Sequence, residues 1–188
     1  MEKSLTILIF IVFVFFSCNN KAQTNSGRGE MVLIQKTSES VSAEAHALTK
    51  NEVELFFPKQ LGDYRLFNVD VSLLKSKGTA SGIYIRGNDY DHSLSYTLED
   101  GNRKGSAILK NFEDGYKSTT KGPKGTEYIR KERNGYKTIA FLQHNINRYT
   151  VSFIYNQRFL LSLEGVEKPD VLWSYFEKED LQKLNALN

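Results

Sequence analysis

The sequence contains a single cysteine, so no disulfide can form within the chain and its stability must come from packing. Thiol redox chemistry lacks its second cysteine, and the His-Glu-x-x-His motif of zinc hydrolases is absent. The three histidines, His46, His92 and His144, lie far apart. Ser81 lies in the run GTASG, which has the wrong spacing for the G-x-S-x-G nucleophile motif. These absences predict a protein that is not an enzyme and holds no cofactor.

The sequence also lacks a large excess of positive or negative charge. The chain has 25 Lys and Arg against 22 Asp and Glu, for a formal net charge of +3. Such a weak bias does not favour nucleic acid as a partner. The sequence shows no internal repeat, no coiled-coil heptad and no second long apolar run. Its length is typical of one domain with a proper core.

The one long apolar run, residues 5–16, lies at the N-terminus and reads LTILIFIVFVFF. It is shorter than the roughly 20 residues that a membrane-spanning helix needs. Lys3 precedes it, and Ser17 follows it as a small residue. A positive start, a short apolar core and a small closing residue are the parts of a signal peptide. The sequence therefore predicts an exported protein.

Ser17-Cys18 resembles a bacterial lipobox, in which the cysteine becomes the lipidated first residue of the mature chain. Phe15 and Phe16 depart from the usual Leu and small residue of that motif. The resemblance implies a diacylglycerol on Cys18, commonly with an additional amide-linked chain. Two alternatives remain, an uncleaved N-terminal anchor and a signal peptide cut elsewhere. Each of them also places the globular part outside the cytoplasm.

The residues after Cys18 bear on location and domain organisation. Asn19-Asn20 is not the Asp that typically retains lipoproteins in the inner membrane, so we expect the outer membrane. Residues 1–17 are then the signal peptide. Residues 18–48 are predicted to be a flexible tether, in which residues 37–47 could form a short helix. Residues 49–188 are predicted to form a single globular α/β domain.

The globular part combines helix and strand patterns. Thr49 and Glu52 form a capping box that starts a short helix. Further helices are predicted after Ser106 and after Pro169, the last one running toward Leu187. The predicted strands are residues 64–71, 81–86, 93–98, 127–133, 136–144 and 148–163, the last of which is interrupted at Asn156-Gln157 and resumes at Phe159. Residues 61–63 and Asn134-Gly135 are predicted to be turns. This pattern predicts an α/β (α+β) fold with a mostly antiparallel sheet of about six strands, covered by helices on at least one face.

Three short segments resemble small exported bacterial proteins with a PsbP/Mog1-like α/β/α sandwich. Residues 57–65, FPKQLGDYR, are similar to the Pro-x-x-Leu-x-Gly-aromatic-Arg pattern that follows the first helix of that family. Asp63 stands where a second Gly is common. Residues 158–165 resemble a late strand, and residues 180–184 resemble part of the closing helix. The resemblance implies a fold used for binding and assembly, usually without catalysis, and it assigns no catalytic residue.

Residues 88–92, NDYDH, are the densest set of potential metal ligands. They lack the Gly, the spacing and the closing Glu of an EF-hand loop. Asn and Asp are also favoured in hairpin turns because of their own backbone hydrogen bonds. We therefore interpret the segment as a turn and predict no metal site.

The segment from Lys117 to Lys137 holds seven Lys and Arg residues against two Glu residues. It could bind anionic lipid headgroups, lipopolysaccharide phosphates or an acidic partner. It could equally be an ordinary solvated hairpin, because edge strands are commonly protected by lysine. Four tyrosines near turns or on polar faces could add to a binding surface or be half-buried sheet residues. They are Tyr84, Tyr90, Tyr116 and Tyr128.

The sequence thus predicts a lipid-anchored, non-enzymatic envelope protein that binds another protein and contacts the membrane through Cys18. The predicted interaction surface consists of Tyr84, Lys121, Lys124, Tyr128, Arg130 and Arg133. One alternative is a carrier or sensor of a small apolar or anionic ligand held between sheet and helix. Another is a hydrolase built on paired carboxylates, although no spacing selects such a pair.

Overall fold

The computed structural model describes residues 48–74, 77–102 and 106–187. The predicted signal peptide, Cys18 and the tether up to residue 47 lie outside the described residues. Leu48, placed at the end of the tether by prediction, is buried in the core. The helix that follows it, α1 (Lys50–Phe56), carries the predicted capping box. Glu52 N donates to Thr49 Oγ1 at 3.3 Å, and Thr49 N donates to the Glu52 carboxylate at 2.8 Å.

All strands of the described residues belong to one antiparallel sheet, which confirms the mixed α/β prediction. The strand order is β1-β2-β3-β4-β8-β7-β6-β5, so strands 1–4 and strands 5–8 each form a meander. The strands are β1 (Gln60–Leu61), β2 (Tyr64–Leu74), β3 (Lys77–Arg86), β4 (Asp89–Asp100), β5 (Thr126–Arg133), β6 (Tyr136–Gln143), β7 (Arg148–Tyr155) and β8 (Phe159–Gly165). Pairing of β4 with β8 joins the two meanders.

The described sheet has eight strands, so the predicted count of about six is wrong. The predicted strand over residues 148–163 is two strands, because Asn156 and Gln157 adopt positive φ angles of 50° and 53° and reverse the chain. Leu61, which was predicted to begin a turn, lies in the two-residue strand β1. The predicted turn at Asn134-Gly135 is confirmed, with φ angles of 51° and 81°.

The remaining helices are α2 (Ile108–Lys117), α3 (Pro169–Ser174) and α4 (Lys178–Lys183), with 3-10 turns at His144–Ile146 and Leu184–Leu187. The predicted continuous C-terminal helix is therefore interrupted after Ser174. Helices α1, α3 and α4 pack on the face of the sheet that carries Leu98, Phe153 and Leu161. Helix α2 packs against β6 and β7 from the opposite face, where a Cβ on Gly115 would lie 3.4 Å from Ile139.

A buried ion pair lies where β4 meets β8. The guanidinium of Arg158 donates to both carboxylate oxygens of Asp100, at 2.8 and 2.9 Å. Arg158 also donates to the carbonyl of Leu187, near the end of the chain. Both charged side chains are almost fully buried. The pair therefore ties the C-terminal turn to the seam between the two meanders.

Candidate functional site

The structure places Tyr84 in the core rather than on a surface. Its side chain is fully buried, and its hydroxyl donates to the carbonyl of Pro58 at 2.9 Å. Burial raises the pKa of this hydroxyl well above its usual value. The prediction that Tyr84 belongs to an exposed interaction surface is therefore wrong, because α1 and the residues after it cover this part of the sheet.

Arg133 is also buried and therefore does not belong to the predicted interaction surface. It is 7% exposed and contacts Asp170, at the start of α3, from Nη2 at 3.0 Å. Its Nη1 donates to the hydroxyl of Thr138. Hydrogen bonds from Lys131 and then from Arg133 lower the pKa of Asp170. Arg133 therefore holds α3 against the β5–β6 hairpin, which is a structural role.

The structure separates the seven cations of residues 117–137 into two groups. Four of them reach a carboxylate outside the segment: Lys117 and Lys137 contact Glu113, and Lys131 and Arg133 contact Asp170. The other three are Lys121, Lys124 and Arg130. Across the described residues, these three form no ion pair. All three belong to the surface that the sequence predicted.

Lys121, Lys124 and Arg130 line one groove together with Tyr128. The groove has a volume of about 480 Å³ and is bounded by the loop before β5. A smaller hollow of about 240 Å³ adjoins it, shares Tyr128 and Arg130 with it, and ends at Ile139. We call these two hollows together the basic groove. Four of the six predicted surface residues therefore meet in one place.

The loop before β5 has the local signals that shape the groove. Both the backbone amide and the hydroxyl of Thr126 donate to the carbonyl of Pro123, at 3.0 and 2.8 Å. Gly125 has a φ of 84°, a conformation that favours glycine. A Cβ on Gly122 would lie only 2.2 Å from Thr126 Oγ1, so this position needs glycine for close approach. The loop thus presents its lysines from a hydrogen-bonded turn.

An aromatic ring and a guanidinium form the floor of the basic groove. Tyr128 is 38% exposed and stacks on Phe141 with ring centroids 4.7 Å apart. The Arg130 guanidinium lies 5.1 Å from the centre of the Tyr128 ring. Arg130 Nε donates at 2.7 Å to the carbonyl of Gly115, which lies in the last turn of α2. The ring and the cation are therefore held in place, and both remain accessible.

The electrostatic character of the groove is cationic. Glu127 is the carboxylate among its lining residues, and its Oε2 lies 3.4 Å from Nε2 of His144. The same groove is lined by three cations, Lys121, Lys124 and Arg130. Such a site can bind carboxylates or phosphates by charge-assisted hydrogen bonds, and an apolar or aromatic side chain can pack on Tyr128.

Of residues 88–92, only Asn88 lies in the exposed turn between β3 and β4, and residues 89–92 begin β4, so the turn interpretation is correct for Asn88 alone. The Asp89 carboxylate accepts from the amides of Asp91 and His92, and its Oδ2 lies 2.6 Å from the His92 ring nitrogen. The hydrogen bond to His92 lowers the pKa of Asp89. Within the part of the chain that the structure describes, no three His, Cys, Asp or Glu residues are placed to hold a metal ion.

The other two tyrosines of the sequence analysis lie outside the basic groove. Tyr90 is exposed and packs edge-on against Phe67, with ring centroids 5.5 Å apart. Tyr116, on α2, lies under Lys137 Nζ at 5.5 Å. The sequence analysis missed Thr120, Gly122 and Thr126, which also line the groove. The Gly and Pro residues of this loop indicated a turn that could have pointed to these three residues, but only the lysines of the loop were assigned to the surface.

Among the described helices, none is long and apolar enough to cross a membrane. The chain matches no protein-family model, and comparisons with curated proteins and with solved structures find no match.

Proposed function

We propose that this chain is a lipid-anchored, non-enzymatic cell-envelope protein whose globular part binds an acidic segment of a partner protein in the basic groove. One observation carries the proposal: three cations of residues 117–137 that have no carboxylate partner among the described residues, Lys121, Lys124 and Arg130, converge beside an exposed tyrosine. The other four cations of residues 117–137 contact the carboxylates of Glu113 or Asp170. In the groove, Arg130 Nε is engaged by the carbonyl of Gly115, whereas the ammonium groups of Lys121 and Lys124 are available to a second molecule.

Three features favour a protein partner. Tyr and Arg are enriched in protein interfaces, where they supply rigid contact area and directed hydrogen bonds. The groove is open and adjoins β5, the edge strand of the sheet, so an extended segment fits its shape. Complementary charge raises the association rate, and a shared membrane raises the effective concentration. A groove of modest area is sufficient under those conditions.

The proposed lipid anchor and the proposed outer-membrane location depend on residues 1–20. The signal-like run, Ser17-Cys18 and the following Asn19-Asn20 support an outer-membrane lipoprotein. Its test is the intact mass of the membrane-extracted protein beside that of Cys18→Ala. We expect a diacylated or triacylated chain that begins at Cys18. An unmodified chain that retains residues 5–16 would contradict the lipid anchor.

A PsbP/Mog1-like sandwich is the finer fold that we propose. It is supported by helices on both faces of the sheet, α2 on one and α1, α3 and α4 on the other. The family's use in binding and assembly is consistent with a non-enzymatic role.

The groove is tested by charge reversal. A photocrosslinking amino acid at Thr119, an exposed residue of the groove, captures the partner in native membranes. We expect the double variant Lys121→Glu/Lys124→Glu to weaken capture by about tenfold, because two favourable charge contacts become repulsive. Lys59→Glu/Lys168→Glu is the matched control, since both lysines are exposed and lie outside the groove. Equal capture by the two double variants would show that the groove does not bind the partner.

A further inference from the structure

A second recess lies on the other face of the sheet, between β6, β7 and the helices α3 and α4. Its volume is about 370 Å³, within the range typical of small-molecule sites. Four aromatic side chains line it: Tyr136, Tyr155, Trp173 and Phe176. We call it the aromatic recess. It shares no lining residue with the basic groove.

The rings of the recess form a connected wall. Phe153 lies beneath it and packs edge-on against Trp173 and Phe176, at 5.1 and 4.9 Å between centroids. Tyr136 packs edge-on against Phe153 at 5.1 Å. Trp173 and Phe176 are 5.5 Å apart. A planar apolar group that enters the recess therefore meets ring faces and edges that are already held in place, which reduces the entropy lost on binding.

The mouth of the recess carries polar groups, of which one is charged. Lys178 lines it, whereas the neighbouring Glu177 and Glu179 do not. No carboxylate among the described residues forms an ion pair with Lys178, and the Tyr136 hydroxyl likewise has no hydrogen-bond partner there. Asn185 is already engaged, since its Oδ1 accepts from Tyr155 and Asn156. The free hydrogen-bonding groups thus include one ammonium and one phenol.

We infer that the aromatic recess binds a small aromatic carboxylate, with the ring against Trp173 and Phe176 and the carboxylate at Lys178. The wall selects a planar apolar group, and the unpaired ammonium selects a single negative charge. The inference goes beyond the protein-binding proposal and depends on different residues. It also gives a site to the alternative of a small-ligand carrier.

Phenylacetate is the probe that tests the inference. Trp173 is the only tryptophan in the chain, so its fluorescence reports directly on the recess. We titrate the membrane-purified chain in nanodiscs with phenylacetate, 2-phenylethanol and hexanoate. We expect a saturable change of Trp173 emission with phenylacetate, and binding about two- to fivefold weaker with 2-phenylethanol, which lacks the charge. Hexanoate, which lacks the ring, should bind more weakly than phenylacetate.

Variants localise the signal. Gln182→Phe adds a ring at the mouth from an exposed position of α4 and should abolish the phenylacetate response. Lys178→Gln should weaken phenylacetate binding about two- to fivefold and leave 2-phenylethanol unchanged. Lys59→Gln is the matched control outside the recess, and Lys121→Glu/Lys124→Glu should bind phenylacetate normally. Absence of a saturable response in the unmodified chain, or an unchanged response in Lys178→Gln, would overturn the inference.

Discussion

The seam between β4 and β8 and the basic groove both contain cationic side chains, but in opposite surroundings. At the seam, Arg158 and Asp100 are buried and make two direct hydrogen bonds. In the groove, Lys121 and Lys124 are exposed and unpaired across the described residues. A buried charge is costly without a counterion, whereas an exposed one is solvated by water. Pairing, and not the density of positive charge, therefore separates the cations that hold the fold from those available for binding.

The largest effect on the free energy of unfolding is expected for a substitution at the seam between β4 and β8. Arg158→Met leaves the Asp100 carboxylate buried without its cation, and we expect a loss of about 3–5 kcal/mol in the free energy of unfolding. Urea denaturation measures it. The double variant Arg158→Met/Asp100→Leu removes both charges and should recover most of the loss. If the double variant is as unstable as the single one, the charge pair is not the cause.

Two cations on one carboxylate oxygen give the next comparison. Arg133 Nη2 and Lys131 Nζ contact Asp170 Oδ1 at 3.0 and 2.9 Å, but only Arg133 is buried. Arg133→Met also removes the hydrogen bond to Thr138 and should cost about 1.5–3 kcal/mol. Lys131→Met is the matched control and should cost below about 1 kcal/mol. Equal losses in thermal unfolding would show that burial does not distinguish the two cations.

Tyr84 and Tyr128 extend the comparison to tyrosines. Tyr84→Phe removes a buried hydrogen bond to Pro58 and should cost about 1 kcal/mol. Tyr128→Phe keeps the ring that stacks on Phe141 and should change stability by less than about 0.5 kcal/mol. Chemical denaturation of both variants measures the difference. A larger loss in Tyr128→Phe would contradict its assignment to a surface.

Asp170 predicts a small dependence of stability on pH. Its pKa is lowered in the folded protein by Lys131 and then by Arg133, so the folded state binds protons less readily than the unfolded state. The resulting stabilisation is present at neutral pH and is lost as the pH falls below about 4 and through the folded-state pKa. Asp170→Asn should therefore show a shallower acid-unfolding profile than the unmodified chain. Superimposable slopes would contradict this contribution.

The smallest effect is expected in the basic groove. Lys121→Gln/Lys124→Gln removes two exposed charges that form no ion pair with the described residues. The free energy of unfolding should stay within about 0.5 kcal/mol of the unmodified chain. A clear loss of stability in urea denaturation would assign these lysines to the fold instead of to binding.

Local signals predicted the parts of the fold that depend on neighbouring residues. The capping box at Thr49 and the Asn134-Gly135 turn are confirmed because each is satisfied within a few residues. Asn156-Gln157 was predicted as an interruption of one strand and not as a reversal between two strands, because glutamine rarely adopts the positive φ that this turn requires. The interruption after Ser174 was missed because apolar residues continue through it at helical spacing.

The same reasoning explains the prediction of the site. Lys121, Lys124, Tyr128 and Arg130 were grouped correctly in space because one loop and the strand after it carry them all. Tyr84 and Arg133 were misplaced because their surroundings come from distant segments, at Pro58 and Asp170. The aromatic recess joins residues from three separate stretches, and no local spacing indicates it. Composition and pattern find polar surfaces more readily than they find cavities.

The sheet order has a consequence for how the chain can be divided. Each meander consists of consecutive strands, and across the described strands β4–β8 is the one strand pairing between the two meanders. The connection between β4 and α2 is therefore a natural point at which to cut the gene. Two fragments divided there each keep their own hairpins and lack one strand neighbour. Fused to separate proteins, they would form a split reporter whose reassembly restores the seam and, with it, the buried arginine.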